Sequence, residues 1–91
     1  MTWEEACKAV CDDIYHTLVS KQHDYGHGNI NDFGLLGVLV RANDKIARLK
    51  NLQGKEAKNE SLRDTWLDLA GYSVIALMIM DDTFNLDLEK K

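Results

Sequence analysis

Between Leu69 and Met80 the chain reads Leu-Ala-Gly-Tyr-Ser-Val-Ile-Ala-Leu-Met-Ile-Met, without a single charge. Upstream, Leu62, Trp66 and Leu69 lead into it at helical spacing, and Ser73, Ala76 or Leu77, and Met80 continue the stripe. A helix is expected over about 60–80, and its second half is apolar on every face. Such a helix must be covered on every face. The run from Trp66 to Met80 is too short to span a bilayer and contains Asp68. A chain of 91 residues forms one domain, 1–91, with a thin core. Two further helices cannot wrap a third completely, so a second subunit is expected to do so. With no proline anywhere, long uninterrupted helices are favoured over a turn-rich β fold. The expected fold class is all-α: three main antiparallel helices, about 3–21, 35–53 and 60–80, in a helical-bundle homo-oligomer.

The first helix opens on a capping box, Thr2 with Glu5 three residues on. Trp3, Cys7, Val10, Cys11, Ile14, Leu18 and Val19 form its apolar stripe. Cys7 and Cys11 are four apart on one helix, poorly oriented for a disulfide and too few for zinc, and are expected to be small buried thiols in a reducing compartment. The start of the chain lacks a basic segment and an apolar core, so no signal peptide is expected. A cytoplasmic protein without a membrane partner is expected. The net charge of −4 argues against coating a long nucleic acid but leaves room for a small phosphorylated ligand, which needs only a few local cations.

Gln22 to Phe33 is expected to be a polar loop, with Gly26 and Gly28 opposing helix there. His23 and His27 could bind a metal only if a fixed turn aligned them and other ligands converged. Tyr25 either stacks on a base or pins the loop to the core. A glycine-rich loop ahead of a helix also presents backbone N–H groups suited to an anion. On the second helix Leu36, Leu39, Ile46, Leu49 and Leu52, with Val38 and Ala42, form the expected buried face, and Gly54 follows its end. Arg41, Lys45 and Arg48 fall along one cationic strip, and Asp44 can pair locally with Arg48.

Helix three is expected to be capped by Asn59 and carries Glu60, Asp64 and Asp68 at intervals of four, with Tyr72 four further on. Like charges stacked this way want a cation between them. Asp68, at the edge of the apolar half, needs a partner most. A divalent ion such as Mg²⁺ is one, and the Lys45 and Arg48 side chains are the other.

Three blocks then carry a resemblance. The first is Lys21-x-x-Asp24-Tyr25-Gly26 with Asn29 and Phe33-Gly34. The second is Gly37-Val38-Leu39-Val40-Arg41 leading to Asp44-Lys45-x-x-Arg48-Leu49. The third is Glu60-Ser61-Leu62-x-Asp64-Thr65-x-x-Asp68-Leu69-Ala70-x-Tyr72. Together they resemble the small phage and bacterial proteins called nucleotide modification associated domain 1, similar in turn to MazG-like all-α nucleotide pyrophosphohydrolases. The resemblance implies a dimer or tetramer with nucleotide pockets between helices. Catalytic MazG-like enzymes hold Mg²⁺ with a Glu-x-x-Glu pattern on helix two and Glu-x-x-Asp on helix three. Here helix three has Asp64 and Asp68 at spacing four, and helix two has Asp44 beside Lys45 and Arg48. That departure tells more against hydrolysis than against nucleotide binding.

The first expectation is therefore an oligomer that binds a nucleotide through Lys21, Tyr25, Asn29, Arg41, Lys45 and Arg48 and sequesters it without turnover. A cyclic nucleotide used as an immune signal, met in phage anti-defence, would suit it. No cofactor is required. The alternative is a Mg²⁺-dependent pyrophosphohydrolase with Asp44, Asp64 and Asp68 on the metal, joined by Glu60. A third reading takes the charges as interhelical ion pairs in a structural interaction protein.

Overall fold

The computed structural model describes residues 1–90. They form four helices and no strand: α1 (Trp3–Tyr25), α2 (Gly28–Asn31), α3 (Gly34–Asn51) and α4 (Leu62–Met80). No helix among them is long and apolar enough to cross a membrane. The capping box of α1 is present, with Glu5 N–H donating to Thr2 Oγ1 at 3.2 Å and Thr2 N–H to Glu5 Oε1 at 3.3 Å. The helix continues one turn past the expected end, because nothing in His23-Asp24-Tyr25 breaks it. It stops at Gly26, whose φ of 68° suits a residue without a Cβ. The expected loop also contains α2, a single turn anchored by the buried Ile30.

α3 ends at Asn51, two residues early. α4 begins at Leu62, capped by Ser61 and not by Asn59: Ser61 Oγ accepts from Asp64 N–H at 3.0 Å. α3 and α4 are antiparallel, with Arg48 meeting Thr65 and Lys45 meeting Asp68. α1 lies along α4 in the same sense. Asp13 pairs with Arg63 at 2.8 Å, and further along Leu18 packs against Gly71. A Cβ on Gly71 would lie 3.1 Å from Leu18 Cδ2, so this glycine sets how closely α1 and α4 approach. After Met80 the chain turns at Asp82 and folds back as a strap. Phe84 is buried, its ring edge-on to His27, and Asn85 accepts from the Asn31 amide at 2.7 Å.

The buried apolar core is small: Ile30, Val38, Ile75 and Phe84, backed by half-buried Leu18, Tyr72, Ala76 and Ile79. The expected buried faces are corrected accordingly. α1 buries no residue; Trp3, Val10 and both cysteines are exposed, because its first half extends beyond the other helices. On α3 only Val38 is buried, while Leu36 and Leu39 are 70% and 64% exposed, since α4 covers one side alone. On α4, Trp66, Leu77 and Met80 are exposed as well.

Candidate functional site

The extension of α1 places Ile14, Leu18, Lys21, Gln22 and Tyr25 on one side, across from Leu67, Asp68, Gly71, Tyr72 and Ile75 of α4. Asn29 and Ile30 of α2 and Arg41 of α3 close the ends. The result is a cleft of about 450 Å³, lined by apolar and polar side chains together. That volume is in the range of small-molecule sites.

Arg41 Nη2 donates to the Asn29 carbonyl at 3.2 Å, one of the five donors a guanidinium carries. Among the described residues no carboxylate lies within ion-pair distance of Arg41. Asn29 Oδ1 is buried without a hydrogen-bond partner among the described residues, and left that way it costs about 1–3 kcal/mol. The Gln22 amide nitrogen lies 2.6 Å from His27 Nδ1; with that nitrogen donating, Gln22 keeps its oxygen free as an acceptor.

Behind the cleft runs a chain of charges. Asp68 Oδ1 accepts from Lys21 at 2.8 Å and Oδ2 from Lys45 at 2.9 Å. Burial alone would push Asp68 up, but hydrogen bonds from Lys21 and Lys45 outweigh it and hold the carboxyl below its ordinary value. The hydrogen bond to Asp68 holds the Lys45 ammonium above its ordinary value, against the opposing effect of burial. Lys45 also lies 3.5 Å from Glu60. Arg48 does not turn back to Asp44. Its Nη1 donates to Thr65 Oγ1 at 2.6 Å and its Nη2 to the Glu60 carbonyl at 2.7 Å. Thr65 is completely buried, and its hydroxyl lies 3.1 Å from Glu60 Oε2.

Of the residues singled out in the sequence, Lys21, Tyr25, Asn29 and Arg41 line the cleft. Lys45 stands one step behind it, on Asp68. Arg48 lies outside, fastening α3 to the start of α4. The acids differ in their partners: Asp68 is engaged by two lysines, while Asp44 and Asp64 are exposed and make no ion pair among the described residues. Among the described residues no three His, Cys, Asp or Glu side chains converge as metal ligands. His27 packs on Phe84 and bonds Gln22. Asp44, Asp64 and Asp68 are thus not gathered into one ligand set among the described residues. Gln22 and Thr65 were missed. The spacing of Ile14, Leu18, Gln22 and Tyr25 would have revealed the first had α1 been carried to Gly26; a threonine on an apolar stripe gives no comparable signal.

The sequence model of nucleotide modification associated domain 1 matches residues 21–80. The chain belongs to this family. No curated protein and no solved structure matches it. The matched segment of this nucleotide modification associated domain begins at Lys21 and ends at Met80. It therefore contains most of the cleft lining, including Tyr25, Asn29, Arg41, Asp68 and Tyr72.

Proposed function

We propose that the protein binds a nucleotide in this cleft and holds it intact. The supporting observation is Arg41: a guanidinium lining a half-apolar cleft, fixed by one hydrogen bond and free of any carboxylate partner among the described residues. Arg41 and Lys21 would meet the phosphate. Tyr25 and Tyr72 offer ring faces to a base, and Asn29 and Gln22 offer acceptors to its N–H groups. The family description is consistent with a nucleotide ligand. Lys45 and Arg48 serve this site from behind, by setting the positions of Asp68 and of α4.

We also propose that the protein is a homo-oligomer. Leu35, Leu36, Leu39 and Ala42 of α3 with Tyr72 and Ala76 of α4 line an open apolar groove beside the cleft, the kind of surface a second copy covers. A Mg²⁺-dependent hydrolase of the MazG-like kind would need carboxylates brought together, and Asp44, Asp64 and Asp68 are not gathered into one ligand set among the described residues.

The test is a thermal-shift screen against linear and cyclic nucleotides with and without Mg²⁺, the tubes then analysed by chromatography. The expected result is stabilisation by a nucleotide recovered unchanged, lost in Arg41→Ala. Pyrophosphate release with Mg²⁺ would favour the hydrolase. The absence of any shift would end the binding reading.

A further inference from the structure

We propose that the cleft selects a nucleotide bearing a single phosphoryl group, bound without a divalent ion, over di- and triphosphates. This inference rests on the nucleotide-binding reading and narrows it. The charges that line the cleft or pair directly with its wall number three cations, Lys21, Arg41 and Lys45, against one carboxylate, Asp68. The surplus of two positive charges matches a phosphomonoester near neutral pH and exceeds that of a phosphodiester by one. A triphosphate brings about twice as much charge as the surplus can neutralise.

The arrangement of these charges sharpens the point. Lys45 and Arg48 are turned toward α4, so the cations at the cleft itself are Lys21 and Arg41. Lys21 is shared with Asp68, leaving Arg41 alone with an unshared charge. A guanidinium can take one phosphoryl group in a bidentate grip, but it cannot span three. Asp68 remains as a fixed negative charge on the wall, where its side chain is only 12% exposed. A polyphosphate tail reaching along the cleft would run beside that carboxylate. The usual remedy is a divalent ion held between carboxylates and phosphates, and no third donor joins Asp68 among the described residues.

The experiment is titration calorimetry on the full chain at fixed ionic strength. Each of the four common bases is presented as nucleoside, 5′-monophosphate, 3′,5′-cyclic monophosphate and triphosphate, first in EDTA and then in Mg²⁺. For the base that binds, one of the two single-phosphoryl forms is expected to exceed both the nucleoside and the triphosphate by tenfold or more, with no gain from Mg²⁺. The monophosphate and cyclic arms tell monoester from diester. Arg41→Ala should remove the advantage over the nucleoside. Asp68→Asn should shrink the preference over the triphosphate; that ratio is measured within one variant, so a general loss of stability does not mimic it. Tighter binding of the triphosphate, or affinity indifferent to phosphate number, overturns the inference while leaving nucleotide binding standing. Binding of no nucleotide and no nucleoside overturns both.

Discussion

At the scale of single residues, the charges divide into those that hold the fold and those that face the cleft, and Thr65 belongs wholly to the first group. Its buried hydroxyl accepts from Arg48 at 2.6 Å and sits between Arg48 and Glu60. Thr65→Val keeps the shape but strands the Arg48 donor. It should lower unfolding stability by about 1–3 kcal/mol in a denaturant titration, while Thr65→Ser should lose much less. Asp68 makes a pH prediction. Its carboxyl is held below the ordinary value in the folded chain, so its contribution is present in full above the unfolded value and disappears as pH falls through the folded one. The stability gap between wild type and Asp68→Asn should therefore be constant near neutrality and close below about pH 4. Lys45, held above its ordinary value, works at the opposite end. Its contribution persists through neutrality and is lost only in strong alkali. The pairing of Asp68 with Lys45 was legible from the cationic strip and the row of acids. The second partner, Lys21, was not: the sequence places it at the end of the first helix, and nothing in the pattern sets that end beside Asp68.

At the scale of elements, the misplaced boundaries share one cause. Gly26 and Gly28 were read together as breakers, but only Gly26 takes a positive φ, whereas Gly28 begins α2. A glycine does not reveal its own φ from sequence, and that ambiguity hid the Tyr25 end of α1. Ser61 outcompetes Asn59 as a cap for a similarly local reason, since its hydroxyl reaches the N–H three residues ahead. The contact between α1 and α4 depends on Gly71. Gly71→Leu places a side chain where Leu18 already packs and should destabilise the fold by about 1–3 kcal/mol, read as a lowered Tm. The same variant should weaken nucleotide binding, because Leu18 and Gly71 both line the cleft.

At the scale of the molecule, the all-helical class followed from the absence of proline and from the three-four spacing of apolar residues. Those same spacings overstated how much of each stripe a single copy buries. Periodicity identifies a face but does not say whether its cover comes from the same chain. Leu36 and Leu39 make the case, apolar at core spacing yet largely exposed. Leu36→Glu with Leu39→Glu should leave helicity unchanged and shift the mass seen by light scattering from oligomer to monomer. An unchanged mass would count against this groove as the surface of the proposed oligomer. The short helix α2, meanwhile, lies between two glycines of positive φ, Gly26 and Gly34, and is tethered by buried Ile30, by the Arg41 bond to the Asn29 carbonyl and by the Asn31 bond to Asn85. So few ties make it a segment able to open without global unfolding. Its amide protons should exchange with deuterium faster than those in the middle of α4. Because Asn29 rides on α2 and is gripped by Arg41, occupancy of the cleft would be recorded as slowed exchange at these few amides.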